Sequence, residues 1–255
     1  MTTRTSIKVT FKNSRGLALS GILDSPAATP LHYGVFGPCF TCPKESHGAA
    51  KICRSLADKG VAMLRFDTTG IGESEGDHSH TNFSTRVDDL VSAARFVAEK
   101  FSLPTVMAGH SMSGTAALSA AQHVASLKLV ATIGSPRDPA YTIDKFTQQG
   151  DLQYVGDNVE INVLGRKYNF KKSFVDDMKT QSVVQDTAQL SQRLLVFHAP
   201  NDTIVSIDNA HEIMRRAGKL ADLVILDSNA THLLENRHQD AEFIAQQILS
   251  ALGPL

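Results

Sequence analysis

Cysteine is scarce in this chain, with three in 255 residues. An odd, low count argues against a disulfide-stapled secreted scaffold and fits a reducing compartment. Charge of either sign barely dominates: the formal net charge is −1 and the pI about 6.8. No global field therefore recruits nucleic acid or an anionic membrane. The first residues lack the apolar core of a signal peptide, and no later run is long enough to span a bilayer. Internal repeats and low-complexity segments are also lacking. No Cys/His cluster has metal-ligand spacing, and the glycines after Asp67 complete neither a P-loop nor a G-x-G-x-x-G fingerprint. Together these absences predict a cytoplasmic protein that needs no cofactor, no metal, no nucleic acid and no membrane.

What is present is a globular composition, with 42% hydrophobic and 20% charged residues, enough for one large α/β domain over residues 1–255. Alternating stretches at 6–11 and 17–23, joined by Asn13-Ser14-Arg15-Gly16, predict a β-hairpin. Apolar runs then alternate with helical patterns. Strands are expected around Val35-Phe36 and at 61–66, 104–108, 127–133, 193–197 and 223–226. A helix is expected at 88–100, with Leu90, Val91, Ala94 and Val97 on one face, and helices follow both late strands. This alternation predicts a mostly parallel central sheet flanked by helices. Residues 138–190 break the rhythm with a polar helix (141–149), a hairpin (159–170) and a short helix (173–180). An insertion this long between core strands is expected to be a lid or cap over a binding site.

Gly109-His110-Ser111-Met112-Ser113-Gly114 joins a short apolar run to a small-residue helix. A serine on such a strand-to-helix turn is a nucleophile elbow, its hydroxyl held over the helix N-terminus, where backbone N–H groups favour negative charge. Serine needs a base and an orienting acid, in the chain order nucleophile, acid, histidine. Asp202 stands in a turn after the 193–197 run, and His232 on a loop after the 223–226 run. Both lie where ligands gather in α/β sheets, at strand C-terminal ends. Among rivals, Ser113 has bulky Thr115 at its own plus-two position. Asp208 reads as a helix cap, and Asp227 is the better alternative acid. His198 lacks a loop's reach, His110 packs or lines the pocket, and His211 and His238 read as surface helix residues. For the oxyanion, the N–H groups of Met112 and Phe40 are expected, with Cys39 as alternative to Phe40. Cys39 and Cys42 form a C-x-x-C that reads as small packing residues of the oxyanion loop rather than as a redox pair. Cys53 reads as a core residue, and Asp67 as a carboxylate hydrogen-bonded to backbone in a turn-rich loop.

The run from Cys39 to Lys44, the R-F-D-T-T-G-I-G-E-S-E-G-D run at 65–77, Thr81-Asn82-Phe83-Ser84, the elbow and Thr132-Ile133-Gly134-Ser135-Pro136 resemble the α/β-hydrolase found fused to an OsmC-like domain in bacteria. So do Leu164-Gly165-Arg166, Phe174-Val175-Asp176-Asp177 and Asp202-Thr203-Ile204-Val205. The resemblance implies an α/β-hydrolase fold and an esterase-like serine hydrolase with Ser111, Asp202 and His232 as triad. Its expected substrate is a carboxylic ester of a small acyl group, with thioesters or amides as alternatives and a non-catalytic binding module as competitor. The chain departs from that pattern at Pro38, where relatives usually carry histidine, and at Ser113, where glycine is commoner. It stops at Leu255, so no OsmC-like half and no peroxide chemistry are carried over.

Overall fold

The computed structural model describes residues 4–234 and 238–253, the side chains of Val184 and His238 excepted. The chain opens with β1 (Thr5–Lys12) and β2 (Ala18–Ser25), antiparallel in the register Val9↔Gly21. Phe11 reaches the core while Ile7 on the outer strand stays exposed, as expected of a sheet edge. Then follow β3 (His32–Gly37), α1 (His47–Asp58), β4 (Val61–Phe66) and α2 (Phe83–Lys100). Next come β5 (Val106–His110), α3 (Met112–Ala120) and β6 (Leu129–Ile133).

Helix α2 starts five residues before the hydrophobic pattern predicts. Asn82 and Thr85 exchange side chain-to-backbone hydrogen bonds, 2.9 Å each, in a reciprocal cap that extends the helix into a polar stretch.

Between β6 and the next core strand lie α4 (Pro139–Gln149), β7 (Leu152–Val155), β8 (Asn158–Val163), β9 (Arg166–Lys171), α5 (Lys172–Thr180) and α6 (Val183–Ala188). The three strands form their own antiparallel sheet, one strand more than the hairpin that the sequence predicts. The main sheet resumes with β10 (Arg193–His198), α7 (Asp208–Arg216) and β11 (Ala221–Ile225), and α8 (His238–Leu252) follows.

The main sheet has the order β1-β2-β4-β3-β5-β6-β10-β11, antiparallel at its first two pairings and parallel across the rest. Alternation along the central strands divides the core in two. Ala62, Leu64, Met107, Val130 and Val196 face one way, toward α2 and α3. Val61, Met63, Ala108, Ala131 and Phe197 face the other, toward α1 and α8. Covering both faces is what lets these strands be apolar throughout. Parallel pairing puts the C-terminal ends of β4, β3, β5, β6, β10 and β11 at one rim of the sheet.

Candidate active site

Ser111 sits at that rim, between β5 and α3, with φ 54° and ψ −127°. A non-glycine residue there is strained, so surrounding contacts must hold it. Its N–H donates to the Ile133 carbonyl at 2.8 Å, tying the turn to β6. A Cβ on Gly109 would fall 2.3 Å from the Ser113 carbonyl oxygen, and one on Gly114 would fall 1.9 Å from Ser135 Oγ. The close approach that demands glycine is therefore at 109 and 114. Ser113 points elsewhere: fully buried, it donates to the Pro38 carbonyl at 2.5 Å. That engagement turns the Ser113 hydroxyl away from His232 and toward the Pro38 loop.

His232, on the loop after β11, places Nε2 3.1 Å from Ser111 Oγ and Nδ1 2.7 Å from Asp202 Oδ2. The carboxylate accepts a hydrogen bond from Nδ1–H, which leaves Nε2 as acceptor for the serine hydroxyl. The other oxygen of Asp202, Oδ1, accepts the N–H groups of Ile204 at 2.8 Å and Val205 at 2.9 Å. Burial works against the Asp202 charge, yet the His232 hydrogen bond and charge and these backbone donors outweigh it and hold the carboxyl below its ordinary range. A hydroxyl, an imidazole and a carboxylate in this series can pass a proton from serine to ring while the ring keeps its orientation.

The rivals stand outside the series. Exposed Asp227 accepts the Asn229 N–H at 2.9 Å in a tight turn, and exposed Asp208 opens α7, accepting Ser206 Oγ at 3.0 Å. His198 is fully buried and donates from Nε2 to the Val205 carbonyl at 2.8 Å. Its ring also lies 3.7 Å from Asp202 Oδ2, a contact with the acid that its place in β10 did not foretell. His110 donates from Nε2 to the His232 backbone carbonyl at 2.7 Å. Burial first, and then the neighbouring His232, push its pKa down to about 3, so it packs as a neutral ring. The side chain of His238 lies outside the described residues.

Two supports are not assigned from the sequence. Gly134, at φ +55° after β6, leaves the space that the pair occupies: a Cβ there would be 3.3 Å from His232 Nδ1 and 3.4 Å from Asp202 Oδ2. Lys145 of α4 donates to the carbonyls of Thr203 and Ile204, pinning the turn that carries Asp202. A glycine after a strand is the one signal that marks Gly134 in the sequence; nothing local marks Lys145.

Met112 opens α3, so its N–H has no helical carbonyl to bond. The Phe40 N–H has no protein acceptor among the described residues. Met112 and Phe40 line the same cavity as Ser111 and His232. The volume of that cavity is about 240 Å³, and its far wall comes from the 138–190 segment through Tyr141, Phe146, Val163 and Leu164. Cys39 and Cys42 are joined in a disulfide, which corrects the expectation of two separate packing residues. The sulfurs meet because the Cys42 N–H donates to the Cys39 carbonyl at 3.2 Å, folding the loop into a turn. Cys53 is free and buried, and burial raises its thiol well above the ordinary range.

Asp67 is bound to more than backbone. Its Oδ1 accepts the Lys44 N–H at 2.6 Å and its Oδ2 accepts Lys44 Nζ at 2.7 Å and the Glu73 N–H at 2.9 Å. Among the described residues no group of three or more His, Cys, Asp or Glu is arranged to hold a metal ion. No described helix is long and apolar enough to cross a membrane.

Residues 44–147 match the family model described as serine aminopeptidase, S33. Over 96% of both chains, the protein is 34% identical to the esterase domain of a Rhodothermus marinus protein, with a TM-score of 0.78. Est1E from Butyrivibrio proteoclasticus, solved with ferulic acid bound, superposes with a TM-score of 0.80 at 20% identity, over 96% of this chain and 99% of that one. A hydrolase structure from Agrobacterium vitis gives 0.76 at 16% identity over 98% and 99%. The last two likenesses speak for the fold alone. No curated protein matches the sequence. With a mostly parallel sheet, a strained serine at its rim and 34% identity along almost its whole length to an esterase domain, the chain belongs to the α/β-hydrolase family of esterases.

Proposed function

We propose that the protein is a serine hydrolase cleaving carboxylic esters of small acyl groups, with Ser111, His232 and Asp202 as its triad. The observation that carries this reading is the unbroken series Ser111 Oγ–His232 Nε2 at 3.1 Å and His232 Nδ1–Asp202 Oδ2 at 2.7 Å. Ser111 Oγ attacks the acyl carbon as His232 Nε2 takes the hydroxyl proton. The tetrahedral oxyanion is held by the N–H groups of Met112 and Phe40. His232 returns the proton to the leaving alcohol, and the C–O bond to that alcohol breaks, leaving the acyl group on Ser111. Water then repeats the sequence: His232 takes its proton, hydroxide adds to the acyl carbon, and Ser111 leaves with the proton restored. Residues 138–190 act as a cap whose walls bound the acyl pocket, and the modest, largely apolar cavity favours short acyl chains. Kinship with the hydrolase half of OsmC fusions rests on the motifs between Cys39 and Val205.

The test is turnover of p-nitrophenyl acetate with covalent labelling by a fluorophosphonate. Wild-type protein is expected to turn over and to be labelled at Ser111. Ser111→Ala is expected to lose about 10³-fold or more in kcat and all labelling. A Ser111→Ala variant that keeps the wild-type rate removes Ser111 from this role.

A further inference from the structure

Arg86, in the first turn of α2, is 5% exposed and forms no ion pair among the described residues. Burying a guanidinium against neutral hydrogen-bond acceptors is unfavourable, and burial pulls its pKa down to about 10 even though the Asp89 charge one turn along α2 acts the other way. Those acceptors are informative. Nη1 donates to Ser113 Oγ at 2.8 Å and Nη2 to the Phe40 carbonyl at 2.7 Å, while the guanidinium carbon stands 5.6 Å from the Phe40 ring centroid. Ser113 passes the link on to the Pro38 carbonyl. The carbonyl between them, that of Cys39, accepts the Cys42 N–H.

Three consecutive carbonyls, Pro38, Cys39 and Phe40, are thus each claimed by a donor. Every peptide here is trans, so each N–H points opposite the carbonyl of its own plane. The plane bearing the Phe40 N–H has the Cys39 carbonyl at its other end, turned back toward Cys42. Arg86 fixes the plane after it and Ser113 the plane before it. Ser113 and Pro38, the two departures from the pattern of the resembling family, are the ends of one hydrogen bond.

We infer that Arg86 and Ser113 are positioning residues: together they clamp the Pro38–Phe40 backbone so that the Phe40 N–H is aimed at the oxyanion. This rests on the ester-hydrolysis reading above. Neither side chain touches substrate; both act through the loop.

Ser113→Ala removes the hydroxyl without adding volume, and Arg86→Lys keeps a cation that can satisfy only one of the two acceptors. With p-nitrophenyl acetate, kcat is expected to fall on the order of 10-fold in Ser113→Ala and 100-fold in Arg86→Lys. KM should stay within about threefold of wild type, because an oxyanion donor acts on the transition state. In parallel, hydrogen–deuterium exchange of the 38–42 backbone is expected to quicken in Ser113→Ala, while α3 and β5 keep wild-type rates. If Arg86→Lys does not fold, Ser113→Ala carries both measurements. Unchanged exchange in this segment overturns the clamp, as does an unchanged kcat in whichever variants fold. Should wild-type protein itself leave p-nitrophenyl acetate intact, the ester reading falls, and the exchange measurement alone still decides the clamp.

Discussion

Asp202→Asn is the sharpest perturbation the site offers, because the outcome depends on which way the new amide points. Oδ1 of Asp202 receives two backbone N–H groups, from Ile204 and Val205. In the variant these donors demand the amide oxygen, so the NH₂ group must face His232 Nδ1 in place of Oδ2, 2.7 Å away in wild type. That nitrogen then accepts, the ring proton moves to Nε2, and Ser111 Oγ at 3.1 Å meets a donor where it needs a base. Restoring the useful tautomer sets N–H against N–H and loses a charge-assisted hydrogen bond, about 2 kcal/mol. The carboxylate no longer offsets the charge on the ring, roughly 4 kcal/mol at about 4 Å and an effective dielectric near 20. The sum, about 6 kcal/mol, corresponds to a fall in kcat on the order of 10⁴. Steady-state hydrolysis of p-nitrophenyl acetate measures it, with a thermal melt to establish folding and Asp227→Asn, expected within about twofold of wild type, as control. A folded Asp202→Asn protein retaining a tenth of the wild-type kcat, or an Asp227→Asn protein losing more than Asp202→Asn, refutes the assignment of the orienting acid.

Gly134→Ala places a Cβ within 3.3 Å of His232 Nδ1 at a positive φ. The expected result is a kcat loss of about 10- to 100-fold with a destabilisation of about 1–2 kcal/mol, read by kinetics and calorimetry. His110 is held to a pKa of about 3 when folded, against 6.5 as the ordinary value. The unfolded chain therefore binds the extra proton: this contribution is fully present above pH 6.5 and drains away as pH falls toward 3. Its slope is at most about 1.4 kcal/mol per pH unit, and urea titrations of His110→Gln between pH 6 and 4 should show a slope shallower by up to that amount. An equal slope in both proteins counts against a neutral buried ring. For the Cys39–Cys42 bridge, thiol titration of native protein should find no reactive thiol and, after unfolding without reductant, only Cys53. Replacing both bridge residues by serine should lower stability by no more than about 2 kcal/mol in a melt, since the closed loop is short. Three thiols in the unfolded protein would contradict the bridge.

The central strands are legible because β4, β5, β6 and β10 are buried on both faces almost throughout and so read as mainly apolar runs, with Arg65 in β4 and Thr132 in β6 as interruptions. Strand β7 is not: Tyr154 and Val155 are exposed, and pairing with β8 rather than any pattern of its own makes it a strand. Ser111, Asp202 and His232 could be nominated because each follows a recognisable strand, and the structure brings their side chains into hydrogen-bond contact. Their supports were hidden. His110 reaches a carbonyl 122 positions away and Arg86 one 46 positions away, and such contacts exist only once the sheet has assembled. The C-x-x-C was visible, but whether its sulfurs join depends on the local turn, which spacing alone does not set.

Ser111, Asp202 and His232 all hang from the ends of sheet strands, whereas Tyr141, Phe146, Val163 and Leu164 opposite them belong to a stretch folded around its own small sheet. On the proposed reading, machinery and mould are thus carried by different parts of the polypeptide. Evolution or an engineer can recast residues 138–190 to admit a different guest and leave the strained serine and its proton partners in place, provided Lys145 still anchors the Thr203–Ile204 backbone.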